Sequence, residues 1–154
     1  MKIADFGLSH VKKETNTPGF YGLYGTPTFM PPEVLSGKAY GFSADVYSFG
    51  ILVASLIRGV SPYDAELTEN VNSFMKAVIS GGLRPTMPAS CPGCIRRIAT
   101  ACWNADEAKR PTMDEVVKMI EEANTELALD RRYSSLEDYL KAISQPTTRL
   151  MCIN

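Results

Sequence analysis

Hydrophobic and polar positions divide the chain into a short extended start, a long interrupted stretch and a run of amphipathic segments. Lys2–Ala4 and Gly7–Ser9 predict two short strands joined by a turn at Asp5-Phe6-Gly7. Residues 10–32 carry Thr15, Asn16, Thr17, Pro18, Gly19, Gly22, Gly25, Pro27, Pro31 and Pro32, which interrupt any period and predict a loop. A loop of that length in a compact domain is usually functional. Pro32 suits the first turn of a short helix reaching Leu35.

A longer helix follows. Ser43 is placed to cap it and Gly59 to stop it. Its apolar residues (Val46, Phe49, Ile51, Leu52, Val53, Leu56, Ile57) cover nearly every face, so the helix needs packing all round. Further helices are predicted from about Leu67 to Ser80, ended by Gly81-Gly82, and from about Cys94 to Trp103. Thr112-Met113-Asp114-Glu115 spells a capping box, with Val116, Val117, Ile120 and Ala123 as the buried stripe behind it. Ser134-Ser135-Leu136-Glu137 spells a second, opening a helix to about Ile143, and residues 145–148 read as a frayed tail. The expected fold class is mainly α, with a token strand pair at the start.

Composition changes this picture little. The chain has 154 residues, 45% apolar and 21% charged, which suits a globular domain with its own core. Sixteen Lys+Arg against seventeen Asp+Glu leave a net charge of −1, and no basic block invites nucleic acid or an anionic membrane. The apolar run Ala44–Ile57 contains Asp45 and is too short to span a bilayer. No secretory signal is legible at Met1-Lys2, and four cysteines are few, so a cytoplasmic location is the expectation. Cys91-Pro92-Gly93-Cys94 has the look of a zinc half-site, but His10 is the only histidine and four ligands are not in prospect. Gly19, Gly22 and Gly25 are not spaced as a phosphate-binding glycine loop.

Four segments carry candidate chemistry: "KIADFGLS", "GTPTFMPPEV", "SADVYSFGILV" and "CWNADEAKRPT". In this order they resemble the C-terminal lobe of a protein kinase catalytic domain, over roughly residues 1–124. Residues 125–154 then form a helical extension and tail. The wording of the last two segments resembles the tyrosine-kinase-like group of serine/threonine kinases.

The resemblance implies roles. Asp5 matches the aspartate that holds magnesium on the ATP phosphates, a hard cation on a carboxylate oxygen. Phe6 and Gly7 match the aromatic and glycine whose conformations separate active from inactive states. Residues 5–33 match the activation segment, with Thr15, Thr17, Tyr21 and Tyr24 as candidate phosphorylation sites. Gly25-Thr26-Pro27 falls where the family shapes its substrate pocket, and a threonine there is the serine/threonine pattern. Pro31-Pro32-Glu33 stands for the family's Ala-Pro-Glu, whose glutamate pairs with an arginine, here Arg110. Asp45 matches the helix aspartate that holds the backbone of the catalytic loop.

In the family, the glycine-rich loop, strand lysine, catalytic aspartate and second-metal asparagine all lie upstream of Asp-Phe-Gly. None is found here, and no His-Arg-Asp follows from His10. The expectation is a part of a serine/threonine kinase, acting on protein substrates with ATP and Mg2+ in a full domain and inactive by itself. Met1 would then be an internal methionine or a false start. The alternative is a non-catalytic, kinase-derived interaction module or pseudokinase fragment. The isolated chain is expected to expose an apolar patch where the long helix lacks its upstream cover.

Overall fold

The computed structural model describes residues 7, 25–63, 70–129 and 135–144. Among these there are helices and turns but no strand. The predicted strand pair lies outside the described residues, apart from Gly7, which is exposed in a turn. The part of the 10–32 loop that is described is ordered by a 3-10 turn at Pro27–Phe29. Helices follow at Pro32–Leu35 (α1), Ser43–Arg58 (α2), Val71–Ile79 (α3), Gly93–Cys102 (α4), Met113–Leu129 (α5) and Leu136–Ser144 (α6), with a second 3-10 turn at Glu107–Lys109.

α2 is the central element. Val46, Tyr47, Gly50, Ile51, Ala54 and Ile57 point into the core, and α4 packs most extensively against them. That approach depends on Gly50: a Cβ there would stand 2.7 Å from Cys102 Cβ and 3.0 Å from the Ala99 carbonyl oxygen. α4 presents Ile95, Ile98, Ala99 and Cys102 to the seam, and α5 lies on its other side through Val116, Ala123 and Leu127. On α3, Phe74 and Val78 are buried, and the Phe74 ring meets Tyr63 edge-on, centroids 4.9 Å apart. α6 packs on α5 and α2 with Tyr139 in the same core.

Helix ends follow local chemistry. Gly59, at φ 66°, closes α2 in the left-handed conformation and donates its N–H to the Ser55 carbonyl at 2.8 Å. The start of α2 differs from expectation: Phe42, not Ser43, is the N-cap, and no side chain caps it. Ser43 already lies in the first turn, where its hydroxyl faces Glu107 Oε2 at 3.4 Å. α3 starts at Val71, where Asn70 Oδ1 accepts from the Asn72 N–H at 2.9 Å; the expected start at Leu67 lies outside the described residues. The box at Thr112 closes both ways, with Glu115 Oε2 2.7 Å from the Thr112 N–H and Thr112 Oγ1 3.3 Å from the Glu115 N–H. On α6 the serine that accepts is Ser135, from the Asp138 N–H at 3.1 Å, one residue later than the pattern read from Ser134.

Two hydrophobic faces also differ. Val117 is exposed; the buried line on α5 runs through Val116, Ala123 and Leu127, with Ile120 half-buried. α2 is not buried all round. Phe49, Leu52 and Val53 are half-buried, Leu56 is 48% exposed, and Asp45 stands exposed on the same side.

Gly50→Ala is expected to melt well below the parent chain, since its methyl overlaps a Cβ and a backbone oxygen; overpacking of this kind costs about 1–3 kcal/mol. Gly82→Ala is the control: its nearest neighbour would be Ser80 Oγ at 3.5 Å, so thermal denaturation of the two variants should separate clearly. Equal melting of both would refute the close seam.

Candidate functional site

The described site is a buried polar cluster that ties together segments distant in sequence. Glu33 sits in the first turn of α1, behind Pro31 and Pro32, which set the backbone for helix entry. Its carboxylate receives two parallel bonds from Arg110, Nη1 to Oε1 at 2.7 Å and Nη2 to Oε2 at 2.8 Å. Both residues are buried, at 8% and 7% exposure. The guanidinium has further acceptors: Nε donates to the Asn104 carbonyl at 2.8 Å and Nη1 to the Ser43 carbonyl at 3.0 Å. Arg110 therefore joins α1, the start of α2 and the segment after α4. A planar fork with five donors suits this arrangement and an ammonium does not.

Tyr47 is the aromatic floor of the cluster. Its fully buried ring has the Arg110 guanidinium 5.0 Å from its centroid and that of Arg84 at 5.3 Å. Burial pushes the Tyr47 phenol above its ordinary range, against the opposing pull of Arg84. Arg84 donates from Nε to the Trp103 carbonyl at 3.0 Å and from Nη1 to the Val78 carbonyl at 3.2 Å. It thereby pins the end of α3 to the end of α4. Sequence reading missed Arg84, Tyr47 and the carbonyl acceptors, because backbone oxygens leave no trace in residue type.

The segment before α1 is fastened to the same helix. Ser48 Oγ lies 2.8 Å from the Phe29 carbonyl and 3.2 Å from that of Ala44. Gly25 takes φ 116°, which L side chains rarely adopt, and both Gly25 and Thr26 are exposed. Pro27 opens the 3-10 turn, and the Phe29 N–H donates to the Thr26 carbonyl at 3.1 Å. The structure thus presents Gly25 and Thr26 at the surface, with half-buried Pro27 opening a turn bolted to α2 and followed by the Glu33 clasp.

Other sequence-derived candidates fall elsewhere. Asp5, Phe6, Thr15, Thr17, Tyr21 and Tyr24 lie outside the described residues. Asp45 is exposed in the first turn of α2. Among the described residues, no group of three or more His, Cys, Asp or Glu is arranged to hold a metal, and no helix is long and apolar enough to cross a membrane. Cys91 and Cys94 flank the start of α4, both buried. Burial pushes the Cys91 and Cys102 thiols up to about 11, and it raises Cys94 as well, with Glu126 adding to the effect.

With this geometry in place, the comparisons with known proteins are specific. The protein kinase domain family matches residues 1–120. The chain is 31% identical over 138 residues to dual specificity protein kinase shkA of Dictyostelium discoideum, covering 88% of this chain and 26% of that protein. It is 38% identical over 123 residues to a putative serine/threonine-protein kinase/receptor of Acanthamoeba polyphaga mimivirus, covering 78% of this chain and 7% of that protein. It is 34% identical over 148 residues to a protein kinase and PP2C-like domain-containing protein of Arabidopsis thaliana, covering 77% and 22%. The chain belongs to the protein kinase family. It spans about a quarter or less of the length of these relatives.

Arg110→Lys is expected to lower stability by at least about 1.5–3 kcal/mol, the value of one hydrogen bond to a charged group, since an ammonium cannot serve Glu33 and both carbonyls together. Chemical denaturation checks this, and a midpoint within error of the parent would contradict it. At pH 8 the raised pKa of Cys91, Cys94 and Cys102 leaves little thiolate in the native state. Iodoacetamide followed by peptide mass mapping should therefore find these three unmodified until denaturant is added. Rapid native labelling of any of them would show that the α4 seam is open.

Proposed function

We propose that this chain is the C-terminal-lobe part of a serine/threonine protein kinase, in the tyrosine-kinase-like group, and that it works in the cytosol. The full domain transfers the ATP γ-phosphate to protein hydroxyls. The observation that carries the reading is the buried Glu33–Arg110 fork, set between a "PPE" turn and a "KRPT" segment in a chain of the protein kinase family. Ser48, bonded to the Phe29 carbonyl, holds the Gly25-Thr26-Pro27 turn with its exposed Gly25 and Thr26 against α2, where a protein substrate's acceptor segment would lie.

The remaining roles belong to the same proposal. Asp5 holds Mg2+ on the ATP phosphates, where the ion neutralises developing charge. Phe6 and Gly7 set the segment's active or inactive state, and Thr15, Thr17, Tyr21 and Tyr24 are its phosphorylation candidates. Asp45 and the half-covered stripe Phe49, Leu52, Val53 and Leu56 form the seat for the upstream half, with the carboxylate of Asp45 receiving backbone N–H groups. Phosphoryl transfer is mostly positioning and electrostatics, so a chain without the phosphate-cradling loop, lysine and catalytic aspartate does not perform it alone.

The test is phosphate transfer from labelled ATP and Mg2+ to myelin basic protein. The chain alone should give none. Joined behind the glycine-rich loop through catalytic loop of the Dictyostelium relative, it should give transfer that Asp5→Ala abolishes. Transfer by the chain alone, or a joined protein indifferent to Asp5→Ala, would overturn the reading.

A further inference from the structure

We propose that α6 is a self-docked cover, which holds a flank of α2 in the chain alone and gives it up when the upstream half of the domain docks; the inference rests on the seat proposed above. α6, Leu136–Ser144, lies beyond the stretch that matches the protein kinase domain, residues 1–120. It is nevertheless fastened to the core. It packs on both α5 and α2, with Tyr139 only 2% exposed among the core residues and Leu140 half-buried against them.

The flank that α6 holds overlaps the seat. Val46, Phe49, Val53 and Ile57 recur at helical spacing and form one stripe along α2. Val46 and Ile57 belong to the core cluster that contains Tyr139, and Phe49 and Val53 pack half-buried against that cluster. Other sides of α2 are engaged by α4 at Gly50 and by the 27–29 turn at Ser48. α6 and the upstream half therefore draw on the same apolar residues, Phe49 and Val53, and compete for them. The contacts that shape α6 are partly its own. Ser135 Oγ accepts from the Asp138 N–H at 3.1 Å, and Lys141 Nζ pairs with Glu137 Oε1 at 2.8 Å one turn away. These travel with α6, but nine residues are too few for a helix to persist without a partner surface. α6 is thus ordered where it docks, as an amphipathic helix in a groove, and loses its order as a unit when displaced.

The test is hydrogen exchange read by mass spectrometry on the full chain and on the joined protein described above, comparing peptides from α6 and α4. In the full chain, α6 should be protected. In the joined protein it should exchange about tenfold faster or more, while α4 stays protected in both. Tyr139→Ala in the full chain should reproduce the loss of α6 protection and raise the fluorescence of an apolar-surface dye about threefold. If circular dichroism shows that Tyr139→Ala does not fold, the two parent proteins decide alone. Release of α6 in a joined protein that transfers no phosphate supports the inference and counts against the kinase reading only. α6 equally protected in both proteins, with phosphate transferred, overturns the inference and leaves that reading standing. α6 unprotected in the full chain also overturns it, since nothing would then be docked to displace.

Discussion

The bidentate bond between Glu33 and Arg110 is the constraint on which the described structure depends. It buries a carboxylate and a guanidinium, which is costly unless every donor and acceptor is used. Here the cost is offset in one place: two bonds to Glu33, one to Asn104, one to Ser43, and the ring of Tyr47 beside the guanidinium plane. The pair joins residues 77 positions apart. Hydrophobic burial alone would let α1 slide over the core; fixed donors and acceptors give it one register.

α2 converts that clasp into a platform. Its inner face is narrowed at Gly50 so that α4 can approach, and its first turns hold Tyr47 for the arginines and Ser48 for the 27–29 turn. Its remaining face carries exposed Asp45 and Leu56 with half-buried Phe49, Leu52 and Val53. One helix thus organises the described core on one side and carries half-buried apolar residues on the other.

Much of this was legible in the sequence, for identifiable reasons. Gly59, the Thr112 box and the Pro32 turn follow from local chemistry that tertiary packing does not override. The Glu33–Arg110 contact was not readable from spacing and came from resemblance. Periodicity placed Val117 in the core because it treats neighbouring positions on a stripe alike, whereas Val116 is buried and Val117 is exposed. Ser43 is a good capping residue by type, yet its neighbour Phe42 takes the N-cap position and leaves the side-chain cap unused. Arg84 gave no signal, since its partners are carbonyls of Trp103 and Val78.

A double-mutant cycle on Glu33→Gln and Arg110→Met, read by equilibrium denaturation, measures the clasp itself. Each single change should cost about 3–5 kcal/mol because it strands a buried charge or removes its support. The double variant should recover a large part of the summed loss, leaving a coupling of more than about 2 kcal/mol, within the range seen for residues in one network. Strictly additive losses would mean that the two side chains act independently and that the fold does not hinge on their bond.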